Sequence, residues 1–293
     1  LKKSWSALTL RLKTRTPQPT AAVGHLFRFR RADMRITCWN VNSLKARLGH
    51  VLDYCRSGQT DCLLLQELKL TDEAFPHDEF SAIGWNSACH GQKTYNGVAI
   101  LSPQDISDVS RNLPCLIGED EADEQARYIE ATVKGVRVGA IYLPNGNPCP
   151  GSKFDYKLAW MRRLQARAEA LLATETPVVL AGDYNVMPQK IDCYEPTAWT
   201  GDALWHPDSR AAFFRLLNLG YTDAIRAIHP QGAQYSYWDY QAGAWQRDNG
   251  IRIDHLLLSP EAASRLANAG VDKTPRGLER PSDHTPVWVE LTD

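Results

Sequence analysis

Thr176-Pro177-Val178-Val179-Leu180-Ala181-Gly182-Asp183-Tyr184-Asn185 joins an uninterrupted apolar run to a carboxylate and an amide. Val178 to Ala181 do not alternate with polar residues, the pattern of a strand buried on both faces of its sheet. Gly182 punctuates the run. Asp183 then stands where a rigid strand meets solvent, next to the crevice in which α/β sheets hold ligands. In an extended backbone residues two apart share a side, so Asp183 and Asn185 can converge on one substrate atom or one cation. The same two residues would also suit an Asp-Asn turn that satisfies its own backbone.

Outward from this strand, the chain repeats one device. Arg35 to Trp39 reads as a first strand ending in Asn40, and Cys62 to Leu65 as a second ending in Gln66-Glu67. Between them, Ser43 is placed to cap a helix whose apolar positions are Leu44, Leu48, Val51, Leu52 and Cys55. A third strand follows Asn96-Gly97. Residues 103 to 126 are polar and acid-rich and read as a surface loop. Tyr128 to Val133 and Val136 to Leu143 form a hairpin through Lys134-Gly135 that ends at Tyr142. Helical spacing from Phe154 to Leu171 leads into the Val178 strand, and a shorter helix runs from Ser209 to Leu219. The rest holds the aromatic cluster Tyr235 to Tyr240, a strand entered through Arg252-Ile253-Asp254, a helix capped by Ser259-Pro260, Ser282-Asp283-His284, and a final strand at Val287 to Leu291. Without a linker or a fixed-period repeat, residues 34 to 293 read as one α/β domain with two sheets.

Composition narrows the function classes. With 43% hydrophobic residues in 293, the chain can bury a large core. It has no apolar run near the roughly 18 residues of a membrane span. Seven cysteines without a C-x-x-C pair fit neither a disulfide framework nor a zinc ribbon, and a reducing cytoplasm is their simplest home. Residues 1 to 33 carry eight Lys or Arg against one Asp and read as a basic, dispensable extension; 25 basic and 33 acidic residues remain beyond them. A main domain of that balance can bind nucleic acid only through a local groove, with a cation among clustered acids.

Asn40, Glu67, Tyr142, Asp183, Asn185, Asp254, Asp283 and His284 all lie at strand boundaries. Acids gathered in one crevice repel unless a cation separates them, and oxygen ligands without Cys favour Mg2+ or Mn2+ over zinc. Neighbouring side chains of an extended segment point apart, so Asp283 is a poor partner for His284, which needs another acid.

The blocks Trp39-Asn40-Val41-Asn42-Ser43-Leu44-Lys45-Ala46-Arg47, Leu65-Gln66-Glu67, Gly182-Asp183-Tyr184-Asn185, Arg252-Ile253-Asp254 and Ser282-Asp283-His284-Thr285-Pro286-Val287 resemble, in order and spacing, the exonuclease III type of apurinic/apyrimidinic endonuclease. That resemblance covers Met34 to the C-terminus. It implies a four-layered α/β sandwich of two packed mixed sheets flanked by helices, and a metal-dependent phosphodiesterase site. Asn40, Glu67 and Asp283 would belong to the metal region, which would hold Mg2+ or Mn2+. Asp183 would position or deprotonate the attacking water, with Asn185 and Tyr142 on the phosphate and His284, oriented by Asp254, at the scissile group. Tyr237, Trp238, Ile251 and Ile253 would wall a pocket for an extrahelical deoxyribose, and Lys45 and Arg47 would contact phosphates. The implied substrate is double-stranded DNA with abasic sites or 3' ends, met by a monomer. Leu68 stands where many relatives carry Thr, and Ile251 where the animal enzymes carry Trp. The same superfamily scaffold also hydrolyses RNA, inositol phosphates and sphingomyelin. The Tyr235 to Tyr240 cluster argues against lipid, and the presence of Glu67, Asp183 and His284 argues against a chain that binds DNA without cutting it.

Overall fold

A computed structural model describes residues 34–116 and 123–293. The basic extension at 1–33 and part of the expected loop therefore lie outside the described residues. Twelve strands among those residues form two six-stranded sheets. The first sheet contains β1 (Met34–Asn40), β2 (Cys62–Gln66), β3 (Asn86–His90), β4 (Val98–Ser102), β11 (Leu266–Val271) and β12 (Val287–Leu291), in the order β11-β12-β1-β2-β4-β3. The second contains β5 (Ile106–Arg111), β6 (Tyr128–Val133), β7 (Val136–Tyr142), β8 (Val178–Asp183), β9 (Thr222–Asp223) and β10 (Asp254–Leu258), in the order β5-β6-β7-β8-β10-β9.

Both sheets are mixed for the same reason. β1 and β2 run parallel, as do β7 and β8, and a parallel neighbour requires a crossover. Helix α1 (Leu44–Arg56) makes the first crossover and α3 (Ser152–Leu172) the second. The inner faces pack on each other through Ile36, Leu64, Ile100, Val138, Val179 and Leu256, which explains the unbroken apolar run of β8. α1 and the short α2 (His77–Ser81) cover the first sheet, and α3 and α4 (Pro207–Asn218) the second. The result is the expected four-layered α/β sandwich. No helix among the described residues is long and apolar enough to cross a membrane.

Two expectations are corrected. The stretch read as a loop contains β5, an edge strand on β6 with a register shift between Ser107 and Ser110. Its residues are largely exposed, so no buried face wrote an apolar alternation into Ile106–Arg111. Ser43 does not cap α1 with its side chain; it has φ 91, and the backbone N–H groups of Ser43 and Leu44 donate to the carbonyls of Glu67 and Leu68. This ties the start of α1 to the turn after β2.

Gly182, at φ 146, lies where a Cβ would sit 2.0 Å from the Ile141 carbonyl oxygen, so the last turn of β8 admits no side chain. Arg252 is fully buried and donates from Nε to Asp192 at 2.7 Å and from Nη1 to Asp223 at 2.8 Å. It pins the segment that carries Ile251, Ile253 and Asp254. Replacing Arg252 with Met strips Asp223 of its ion pair and leaves Asp192 with Arg226 alone, and the expected loss is about 3–5 kcal/mol in urea unfolding. A loss below about 1 kcal/mol, the range of exposed pairs, would contradict that role.

Candidate active site

The two parallel pairs explain where the site lies. Side chains at the C-terminal ends of β1, β2, β7 and β8, or just past them, reach one crevice between the sheets, and β10 begins there because Asp254 pairs in register with Asp183. The loop before β12 adds His284, which is bridged to Tyr237. A cavity of about 230 Å³ results, with Glu67, Tyr142, Asp183, Asn185, Asp283 and His284 on its polar side. Ile253, Leu204, Tyr237 and Trp199 complete its lining.

Asp183 is the centre of the hydrogen-bond network. Its Oδ1 accepts the Asn185 backbone N–H at 2.8 Å, and its Oδ2 accepts Asn40 Nδ2 at 3.0 Å. Asn185 has φ 48, so the pair converges through a turn, while β8 stops at Asp183. The turn and the shared site are therefore one arrangement. Asn185 Nδ2 donates to the Leu143 carbonyl and its Oδ1 accepts from Asn145. Glu67 also sits in the left-handed region, at φ 54, where a non-glycine residue persists only if its surroundings hold it.

His284 Nδ1 meets Asp254 Oδ2 at 2.8 Å, and its Nε2 lies 3.8 Å from Asp183 Oδ2. The acid it needs is Asp254, which Ser236 Oγ also supports at 2.6 Å. Burial alone would lower the imidazole's pKa, but Asp254, Asp183 and Asp283 override it and hold it up at about 10. Asp183 is pushed up to about 7 by burial, against the pull of the His284 cation and with the help of Asp254 and Glu67. Burial would also raise Glu67, yet the Asn40 amide, Lys69 and His284 keep it below the usual carboxylate range. One donor atom from each of Glu67, Asp183 and His284 lies within 4.8 Å of the others. Of these, the Glu67 and Asp183 carboxylates are hard oxygen donors that fit a small divalent cation, whereas the protonated His284 supplies a hydrogen-bond donor instead of a ligand.

Other expected residues stand differently. Asn40 turns Nδ2 to both Glu67 and Asp183, so it spaces two carboxylates, while its Oδ1 accepts the Asn42 N–H. Asp283 lines the cavity outside the tight group, held by Asn42 and Ser282. Trp238 is not a wall: it is fully buried against Tyr235 and Trp245, with Nε1 on Asp248. Tyr237 does line the cavity, edge-on to His284 at 4.9 Å. Ile253 lines it too, whereas Ile251 faces a neighbouring cavity. Arg47 spends its guanidinium on Asn42, Pro281 and Tyr240, closing the loop before His284; Lys45 is exposed on α1.

Three site residues escaped the sequence reading. Asn145 and Lys69 touch Asn185 and Glu67 and carried no separate signal. Lys157 did carry one, a cation on the buried stripe of α3 between Phe154 and Met161. Its Nζ donates to the carbonyls of Asn145 and Asn185, at 2.9 and 2.6 Å, tying two loops of the site together.

The model of the Endonuclease/Exonuclease/phosphatase family matches residues 37–284. The chain belongs to this family. Within it, exodeoxyribonuclease III of Haemophilus influenzae is 32% identical over 271 residues, covering 88% of this chain and 100% of the relative. Among solved structures, the 3'-5' exonuclease NExo of Neisseria meningitidis matches with a TM-score of 0.85 and 43% identity, over 89% of this chain and 100% of that one. An AP endonuclease from Archaeoglobus fulgidus matches with a TM-score of 0.83 and 35% identity, over 88% and 99%. At this coverage the family member is a nuclease of the exonuclease III group.

Proposed function

We propose that this nuclease is a DNA repair phosphodiesterase that cuts duplex DNA on the 5' side of abasic sites and also removes nucleotides and phosphates from 3' ends, with Mg2+ or Mn2+. The observation that carries the reading is Asp183, buried between the amide of Asn40 and the imidazole of His284, in a cavity that Ile253, Leu204 and Tyr237 also line. A deoxyribose without a base asks for such a wall and for no base-reading hydrogen bond. We further assign a monomer, in a reducing cytoplasm that keeps its seven free cysteines as thiols.

Asp183 Oδ2 orients a water and takes its proton as the water oxygen bonds to phosphorus. The bond from phosphorus to the upstream 3'-oxygen breaks, and that oxygen leaves with a proton from solvent. His284 Nε2–H, kept protonated by Asp254, donates to a non-bridging oxygen where charge builds. Tyr142 and Asn185 line the same cavity as further partners for phosphate or water. Glu67, with Asp283 nearby, would hold the cation, whose contribution when bound is to neutralise phosphate charge.

The test is incision of a labelled duplex carrying one abasic analogue, beside an intact duplex, in Mg2+ and then in excess chelator. Cleavage immediately 5' to the lesion, lost with chelator and restored by Mg2+ or Mn2+, is the expected result. Incision unaffected by chelator would remove the cation from the reading. No incision by folded protein supplied with the cation would remove the abasic substrate.

A further inference from the structure

A second cavity of about 260 Å³ adjoins the phosphate site and shares Trp199 and Tyr237 with it. Its chemistry differs. Where the first is lined by several carboxylates and His284, the second offers the rings of Tyr194, Trp199 and Tyr237 and the side chain of Ile251, with Asp239, Arg247 and Asn249 among its polar groups. The Tyr194 ring stands 43% exposed. Ile251 is buried and gives this space an aliphatic wall.

Aromatic faces beside an amide and a guanidinium are what a planar, heteroatom-edged ring binds: the faces stack and the edge accepts and donates. Arg247 and Asp239 both line it, so no excess of positive charge selects a phosphate there, and a bare deoxyribose does not need it. We propose that this second cavity receives the nucleobase of the nucleotide on the 3' side of the scissile phosphate. The inference rests on the phosphodiesterase reading of the adjoining site and says which substrate uses the added space. When a base-bearing 3' end is trimmed, the terminal nucleotide unstacks, its sugar lies against Ile253 and Tyr237, and its base passes beyond Tyr237 toward Tyr194. Unstacking is cheapest at a frayed end. Stacking tolerates any base, so trimming carries little sequence preference.

Three substrates share the scissile phosphate and differ beyond it. A 3'-terminal nucleotide places a base in the second cavity, an internal abasic analogue places only a sugar beside it, and a 3'-phosphate places no residue there. The experiment compares kcat/KM of the full chain with that of Tyr194→Ala and Asn249→Ala on these three duplexes. Removal of the terminal nucleotide should fall about tenfold, through KM, while 3'-phosphate removal and abasic incision by the same preparations stay within about twofold. Equal losses on all three substrates, or no loss on any, would overturn the base pocket. If the unsubstituted protein processes none of the three, the reading of the adjoining site fails and the base pocket fails with it.

Discussion

Asp183→Asn should lower DNA cleavage by about 10³-fold or more while duplex binding stays within about threefold, because a positioned general base commonly contributes 10²–10⁴ and the phosphate contacts remain. The substitution is nearly isosteric. Oδ1 can still accept the Asn185 N–H, so the turn holds. At Oδ2 the new amide would face Asn40 Nδ2 donor to donor, and the charge 3.8 Å from His284 is gone. Single-turnover cleavage at saturating Mg2+, with binding measured separately, gives both quantities. Turnover near that of the unsubstituted protein would remove Asp183 as the base. The ionised form is the working one, and its pKa is raised to about 7 by burial. Rate therefore rises with pH, tenfold per unit, up to a limb at or below about 7, since a cation beside Glu67 favours the ionised carboxyl.

Asp254→Asn carries the second large effect. Without that carboxylate the largest of the charges that offset the burial of His284 is gone, only Asp183 and Asp283 still oppose it, and the imidazole holds its proton less firmly. Cleavage should fall about 10²–10³-fold, the usual cost of one donor at developing charge. The pH profile separates this role from mere packing. His284 acts while protonated, and its pKa near 10 sets the alkaline limb in the native protein, with rate falling as pH rises through it. In the variant that limb should move down. A uniform loss of rate with the alkaline limb unmoved would show that Asp254 does not set the charge of His284.

Much of this was written along the chain. Buried strands announce themselves as apolar runs, and an acid or amide at the end of one has few purely structural uses, which is why Asn40, Glu67 and Asp183 were legible; Asp254 opens its strand and His284 precedes one, and both were marked by their strand boundaries and by the resemblance. The need of His284 for an acid other than its neighbour followed from strand geometry alone, and Asp254 meets it at 2.8 Å. β5 was not legible, since an exposed edge strand needs only backbone partners and leaves no apolar trace. Trp238 was misplaced because aromatics adjacent in sequence point to opposite sides: Tyr237 turns to the cavity and Trp238 to Tyr235 and Trp245.

The sequence by itself determined the α/β class, the apolar core, the strand ends and the chemical types of the groups placed there, because these follow from local periodicity and from what each side chain can ionise or donate. Only the tertiary structure decided how those groups face one another. Whether Asn40 turns nitrogen or oxygen to the carboxylates, whether Arg47 is free for a phosphate or spent on Pro281, and whether Lys157 holds two loops together depend on contacts between residues far apart in the chain. Hydrogen bonds and charge interactions are set by distances of a few ångströms between such residues, and no local pattern encodes a distance.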